Sequence, residues 1–151
     1  MHNIEIIKRL RFLLDADDSV LAQCFHLGGL DLSDAELTSL LTSTEEQVDG
    51  SCTDEQFTRF LDGLILLRRG PSDKPNRNPV ALTNNIILKK IRVAFELQAR
   101  DIDNVFMLAD CEFSPHEISA LFRKPGTKHY VECNDDTLER FLSGLSLYFR
   151  S

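Results

Sequence analysis

The chain has 151 residues, a net charge of −7 and 42% hydrophobic residues, which are the proportions of a soluble globular protein with one or two small domains. It contains no apolar run long enough to cross a membrane and no apolar stretch near its start that resembles a signal peptide. Four cysteines without a C-x-x-C pair are too few for a disulfide scaffold. We therefore expect a cytoplasmic protein with reduced thiols and no membrane partner.

The chain is an internal duplication. An offset of 81 residues pairs 1–70 with 82–151 without a gap, and 18 of the 70 pairs are identical. Unrelated sequences of ordinary composition give roughly 6% identity. The best-matched block is the last, with CTDEQFTRFLDGLILLRR against CNDDTLERFLSGLSLYFR. Since a repeat of about 70 residues has a marginal core on its own, we expect the two repeats to pack as one pseudo-symmetric body.

The two repeats differ in charge. Residues 1–70 hold 6 basic and 13 acidic residues, a net charge of −7, whereas residues 82–151 hold 9 and 10, a net charge of −1. This difference indicates different partners for the two repeats. A net acidic chain is not suited to broad, non-specific nucleic-acid binding.

Each repeat begins with two predicted helices. The first spans Asn3–Leu14 and Asn84–Leu97, where apolar residues recur at steps of three and four and so fall on one helical face. The second spans Ser19–Leu27 in repeat one and Asp101–Ala109 in repeat two. The pair Gly28-Gly29 follows it in repeat one and is typical of a helix C-cap.

The third helix has the clearest start signal in each repeat, an S-x-x-E capping box. Ser33 with Glu36 and Ser114 with Glu117 have the required spacing. In such a box the serine accepts a hydrogen bond from the N–H three residues later, and the glutamate accepts one from the N–H of the cap. Pro115 stands at the first helical position, where its missing N–H costs nothing.

The fourth helix begins after Thr53 in repeat one and after Asn134 in repeat two, since both are polar caps followed by acids. Gly63 and Gly144 lie at matching positions inside it and predict a close approach of two helices. Between the third and fourth helices of repeat two, KPGTKHYVE contains a Pro-Gly turn and a tail that favours a brief extended strand. The fold class is all-α, with two tandem four-helix repeats.

The segment 71–81 connects the repeats. It contains Pro71, Pro75 and Pro79, and each proline fixes φ and lacks a donor N–H. We therefore expect a semi-extended spacer, which divides the chain into residues 1–70, 71–81 and 82–151.

The histidines and carboxylates give no sign of catalysis. No nucleophile elbow, metalloprotease motif, P-loop or dinucleotide fingerprint occurs. His26 aligns with Met107, which indicates a packing position, and the histidines have no ligand spacing. Acidic side chains mostly stand in first turns and loops, where they cap helices and aid solubility. The sequence thus predicts a protein that is not an enzyme and uses no cofactor. The four histidines are His2, His26, His116 and His129.

The cysteines are interpreted as core residues. Cys24 and Cys111 align with Val105 and Leu30, as small apolar residues would. Cys52 and Cys133 align with each other just before the fourth helix. A buried residue behind the N-cap explains them, and a redox pair or metal site is the alternative.

The stretch ALFRKPGTKHYVE in repeat two departs from its acidic background. It carries Arg123, Lys124, Lys128, His129 and Tyr130, whereas the equivalent LLTSTEEQVDG of repeat one has acids and no base. Arginine and lysine in a tight loop can clamp a phosphate or carboxylate, and a tyrosine can stack on a base.

Basic residues of the first helix in repeat two add to this candidate site, and they are Lys89, Lys90 and Arg92. The alternative is that Arg123 and Lys124 only offset the dipole at the end of the third helix.

Two resemblances follow from these motifs. The block NNxxLKKIRxA, then LADCEFSPHEISALFRKPGTKHYxEC and FLxGL, resembles the YehS-like bacterial family across the whole chain. The resemblance implies a bacterial, cytoplasmic, helical protein with two repeats, and it implies no established activity.

The order of helices is also similar to that of repressor-type helix-turn-helix domains, in which the third helix enters the major groove. That resemblance places four residues of repeat two on the exposed face of the third helix. The same face in repeat one carries no basic residue. The turn here is longer and more apolar than such domains prefer. The residues are His116, Ser119, Ala120 and Arg123 in repeat two and Ala35, Thr38, Ser39 and Thr42 in repeat one.

These observations favour a non-catalytic helical binding or regulatory protein, whose partner is another protein or a small anionic ligand at repeat two. The alternative is a nucleic-acid-binding regulator that uses the third helix and the basic stretch of repeat two. The two differ in how steeply affinity falls with salt.

Overall fold

The computed structural model describes residues 2–42, 52–70 and 81–150, and in these the regular structure is entirely helical. Four helices lie in each repeat, so the predicted all-α class with two tandem repeats is confirmed. The helices are α1 (Asn3–Leu14), α2 (Asp18–Leu27), α3 (Asp34–Thr42), α4 (Asp54–Arg69), α5 (Asn84–Ala94), α6 (Ala99–Leu108), α7 (Pro115–Leu121) and α8 (Asp135–Arg150). Most of the predicted connector lies outside the described residues.

The chain divides into two compact units, Met1–Leu82 and Thr83–Ser151. Each unit has its own apolar core built on a pair of phenylalanines. The rings of Phe25 and Phe60 lie 5.2 Å apart between centroids, and the aligned Phe106 and Phe141 lie 5.6 Å apart. Packing of the two repeats on each other stays a prediction.

The predicted capping boxes of the third helices are both formed. The backbone N–H of Glu36 donates to Ser33 Oγ, and the N–H of Ser33 donates to Glu36 Oε1, each at 3.1 Å. The same exchange joins Ser114 and Glu117 at 3.1 and 3.2 Å. The starts of these helices are therefore set by four adjacent residues and needed no tertiary information.

Three helix boundaries differ from the prediction in repeat two. Helix α5 ends at Ala94 rather than Leu97, and α6 spans Ala99–Leu108 rather than Asp101–Ala109. The early end of α5 is explained by Glu96, which adopts a left-handed conformation with φ 54°, as the aligned Asp15 does with φ 50°. A left-handed residue ends a helix by turning the chain away from its axis.

The second and fourth helices of each unit cross at a glycine. A Cβ on Gly63 would stand 1.6 Å from the carbonyl oxygen of Cys24, and a Cβ on Gly144 would stand 2.1 Å from that of Val105. These are the backbones of α2 and α6, so any side chain at the glycine would force the helices apart. The predicted close approach is confirmed in both units.

Unit one has a second close contact that unit two lacks. A Cβ on Gly28 would lie 1.8 Å from the carbonyl oxygen of Arg59 in α4, whereas the aligned residue in unit two is Ala109. The next residue, Gly29, has φ 93° and supplies the left-handed turn predicted for the end of α2. Gly28 is thus required because a side chain has no space there, and Gly29 because its backbone conformation favours glycine.

We expect Gly63→Ala and Gly144→Ala to lower the free energy of unfolding by at least about 1–3 kcal/mol, because each added methyl group would overlap backbone atoms that cannot rotate away. Urea denaturation followed by circular dichroism measures the loss. Ser146→Ala, a helix-interior substitution in α8, is the matched control and should change stability by much less. Equal stabilities of the glycine and serine variants would contradict the packing argument.

Candidate anion-binding loop

Residues 122–130, the basic loop, connect α7 to the segment before α8 and form two successive turns. The N–H of Thr127 donates to the carbonyl of Lys124 at 3.2 Å, and the N–H of Tyr130 donates to that of Thr127 at 3.2 Å. Gly126 permits this path with φ 88°. The predicted extended strand is therefore wrong, because the loop bonds to itself and no described strand lies beside it.

The end of the basic loop returns along α7. The rings of His129 and His116 are in edge-to-face contact with centroids 5.8 Å apart, and the N–H of Val131 donates to the carbonyl of Ala120 at 3.2 Å. Residues 129–131 thus cover one flank of a helix that is only seven residues long.

This covering corrects one predicted exposed position of the third helix. Ala120 is buried, with 4% of its surface exposed, although it was placed on the face that would enter a groove. His116, Ser119 and Arg123 are exposed as predicted. The corresponding residues of repeat one are all exposed, and they are Ala35, Thr38, Ser39 and Thr42.

A buried asparagine holds the basic loop at both ends. Asn85 Nδ2 donates to the carbonyls of Leu121 and Val131, each at 2.9 Å, and Asn85 Oδ1 accepts from the N–H of Cys133 at 2.8 Å. The three bonds tie α5 to the last residue of α7 and to the chain after the loop. Because the amide group is fully used, the loop is held in one conformation relative to α5.

Sequence reasoning missed Asn85, although a signal was present. The aligned residue of repeat one is Ile4, which is buried with 8% exposure in the core of unit one. A polar residue in place of a core isoleucine indicates a buried polar group with specific partners. The matching stretch 43–51 of repeat one lies outside the described residues, so its acids are compared in sequence only.

The cations of the basic loop point to solvent. Arg123, Lys124, Lys128 and also Lys89 of α5 are exposed, and none forms an ion pair with a carboxylate in the described residues. Neither Arg123 nor Lys124 donates a side-chain hydrogen bond to the last carbonyls of α7. Both follow directly after the end of that helix, where a cation offsets the dipole without a hydrogen bond, so this alternative stays open beside the anion site.

Arg92 has a structural role that Arg11 repeats in unit one. Arg92 Nε donates to the carbonyl of Leu97 at 3.2 Å, and its guanidinium lies 4.9 Å from the ring centre of Phe122, the first residue of the basic loop. The terminal nitrogen of Arg11 pairs with Asp18 at 2.8 Å, whereas an alanine stands at the position of Asp18 in repeat two. Arg92 is thus fixed beside the loop without that carboxylate.

Lys89 lies on the same side of α5 as the two residues that contact the loop. It stands four residues after Asn85 and three before Arg92, which are the spacings of neighbours on a helix surface. Lys89 and Arg92 therefore lie on the side of α5 from which Asn85 holds the loop. Lys90 is half-buried and Tyr130 is also half-buried.

The histidines are arranged differently from the prediction. His26 is not a packing residue, since 68% of its side chain is exposed and its Nδ1 pairs with Asp31. The aligned Met107 is also 67% exposed, so this position faces outward in both units. The contact of His116 with His129 was missed because their separation along the chain matches no ligand motif.

Three of the four thiols are buried. Burial raises the pKa of Cys24 to about 11 and that of Cys52 and Cys133 to about 12. Negative charge from the following aspartates adds to the shift at the last two. Cys111 is only half-buried, so its interpretation as a core residue is wrong. In the part of the chain described, no group of three potential ligands surrounds a metal position.

Several carboxylates act as caps. The pKa of Asp17 is lowered by hydrogen bonds from Ser19 and from the N–H of Val20. That of Asp101 is lowered by the N–H of Gln98 and by the hydroxyl of Tyr148, which donates at 2.8 Å. Their hydrogen bonds serve local structure, as the sequence predicted.

We expect Cys111 to react with iodoacetamide at pH 8 well before Cys24, Cys52 and Cys133, because alkylation needs an accessible thiolate and burial disfavours it. Mass spectrometry of peptides after timed labelling distinguishes the four. The three buried thiols should react at comparable rates only after urea unfolds the chain. Rapid labelling of Cys52 or Cys133 in the native protein would restore the redox interpretation.

Replacing Asn85 with leucine should lower the free energy of unfolding of unit two by about 2–4 kcal/mol, since two carbonyls and one N–H lose buried partners. Amide hydrogen exchange at Cys133, followed by NMR, should accelerate in parallel. Asn104→Leu, on the exposed face of α6, is the matched control. We call the three hydrogen bonds of Asn85 the clamp. An unchanged exchange rate at Cys133 would show that the clamp does not hold the loop.

The fold and this loop define a class of protein: two all-α repeat units, of which the second carries a clamped basic loop. The chain belongs to the family described as "Protein of unknown function (DUF1456)", which matches residues 3–70 and again 84–151. It is similar to the "Uncharacterized protein YehS" of Escherichia coli (strain K12), with 33% identity over 147 residues, 94% of this chain and 92% of that protein. The resemblance to the YehS-like family is confirmed.

No solved structure matches this chain. The descriptions of the family and of the E. coli protein name no activity and no partner. None of the helices in the described part of the chain is both long and apolar enough to span a bilayer.

Proposed function

We propose that this protein is a non-catalytic binding protein and that its second repeat binds a small anionic ligand, free or carried by a protein partner, at the basic loop. The observation that carries the proposal is the set of exposed cations on a clamped loop. Arg123, Lys124 and Lys128 have no carboxylate partner among the described residues, whereas repeat one has no base in the matching stretch.

The clamp favours binding because it fixes the loop before a ligand arrives. Ordering a loop on binding costs free energy, and a loop already held by Asn85 avoids part of that cost. An arginine and a lysine in consecutive positions can supply a planar fork and a point charge to one oxyanion. Lys89 and Arg92 add positive charge from α5.

The arrangement of the other polar groups supports binding rather than catalysis. The thiols that align between the repeats are buried, and burial raises their pKa. The carboxylates at the helix starts are hydrogen-bonded as caps. A general base or a nucleophile would need a free group beside a substrate cavity, and these groups are used elsewhere.

Nucleic-acid binding is the second candidate, and the exposed cations together with Tyr130 favour it. The geometry of α7 favours it less. The helix has seven residues, and the chain at 129–131 lies along one flank, so that little of it can enter a groove. A small anion needs only the loop surface, which is why we place it first.

Inorganic pyrophosphate at pH 8 tests the proposal. We expect it to shift the amide NMR signals of residues 122–130, and we expect Arg123→Ala with Lys124→Ala to weaken binding by at least about tenfold, as the loss of two exposed charge contacts predicts. Lys8→Ala with Arg68→Ala removes the same charge from exposed positions of repeat one and is the matched control.

Equal weakening by the loop variant and the control would mean that only net charge matters and would overturn the proposal. A mixed-sequence DNA duplex provides the second arm. Tight binding of the duplex, with log affinity falling steeply against log salt and a flatter slope in the loop variant, would replace the proposal by the nucleic-acid alternative.

A further inference from the structure

The contact between His116 and His129 is a feature of repeat two alone. The two rings meet edge to face, 5.8 Å apart between centroids, and both residues are exposed. In repeat one the aligned residues are an alanine and a valine at 35 and 48. The histidine pair therefore occurs in the same repeat as the loop cations, which form no ion pair among the described residues, and one of its members lies in that loop.

The pair lies where the basic loop meets α7. His116 is on the first turn of α7, and His129 directly follows Lys128 in the loop. An imidazole gains a proton and a positive charge between about pH 5 and 8, and both of its nitrogens are then donors. Two protonated rings at this separation repel each other, and a doubly charged anion bound to the N–H groups of both would offset that repulsion.

The charged and titratable groups around the pair are mixed in sign. Glu117, the nearest acid in sequence on α7, is bound to the N–H of Ser114 as the cap of that helix. Helix α6 packs on α7, and Asn85 ties α5 to both ends of the loop. The charged and titratable groups on these elements are Arg100, Asp101 and Asp103 of α6, Lys89, Lys90 and Arg92 of α5, Asp110, Cys111 and Glu112 before α7, Glu117 of α7, and Arg123, Lys124, Lys128, Tyr130 and Glu132 after it.

We propose that His116 and His129 complete the anion site of the basic loop, and that its ligand is a doubly charged oxyanion of the sulfate or phosphate-ester class, bound with proton uptake by the pair. This inference rests on the proposed function and specifies its ligand. The cations of the loop supply charge at every pH, and each histidine adds a positive charge and a second N–H donor only when it is protonated.

The alternative ligand for two neighbouring imidazoles is a divalent cation, since neutral histidines bind Zn²⁺. The neighbouring charge argues against it. Lys128 directly precedes His129, and the loop around it is basic, so that a cation would be repelled where an oxyanion is attracted.

The test is a titration with inorganic sulfate at pH 5.5 and at pH 8, followed by NMR of the full chain. Sulfate is used because it keeps its double charge across this range. We expect affinity to be on the order of tenfold higher at pH 5.5, from two added exposed charge contacts. Calorimetry in two buffers of different ionisation enthalpy should show proton uptake on binding at intermediate pH.

The variants separate the two proposals. His116→Gln with His129→Gln should abolish the gain in affinity at pH 5.5, whereas Arg123→Ala with Lys124→Ala should weaken binding at both pH values. His26→Gln, an exposed histidine of repeat one, is the matched control and should keep the gain. Circular dichroism at both pH values confirms that each variant is folded.

A pH-independent sulfate affinity that still depends on Arg123 and Lys124 would overturn the role of the histidines and keep the proposed function. No sulfate or pyrophosphate binding at either pH would overturn both. Binding of Zn²⁺ to the two rings above pH 7, with sulfate leaving their signals unchanged, would identify a cation site and also overturn this inference.

Discussion

The close crossing of the second and fourth helices at a glycine is the constraint on which both units depend. In each unit the glycine stands where a Cβ would overlap the backbone of the neighbouring helix, at Cys24 in unit one and at Val105 in unit two. This contact brings the aligned phenylalanine pairs together in both cores. A domain of about 70 residues has little apolar area to spare, so a close helix contact contributes a large share of its packing.

The duplication preserved that crossing and changed what surrounds it. Unit one adds a second glycine, Gly28, against α4, whereas unit two replaces a core isoleucine with Asn85 and uses its amide to hold a loop. A buried amide contributes to stability only when all its partners are in place, which makes it a means of fixing one conformation. The stretch that this asparagine holds, 123–131, shares no identical residue with the aligned stretch 42–50 of repeat one.

The clamp gives the proposed site its geometry. Cations on a loose loop are ordinary solvated charges, and ordering them on a ligand costs entropy. Held against α5 and α7, the same residues present a fixed charged surface, with the guanidinium of Arg92 packed on Phe122 at its edge. The contact of His116 with His129 depends on the same folding of the loop back along α7. The proposed binding at this surface would therefore be linked to the stability of unit two.

The sequence by itself determined the repeat, the all-α class, the capping boxes at Ser33 and Ser114, and the need for space at the paired glycines. Helix periodicity and caps are local, and comparing the two repeats separated shared structure from divergent surface. Only the tertiary structure decided that Asn85 clamps the loop, that Ala120 is covered, that His26 faces outward and that His116 meets His129. The contact of His116 with His129 joins residues 13 positions apart and that of Asn85 with Cys133 joins residues 48 positions apart, and no local pattern encodes such contacts.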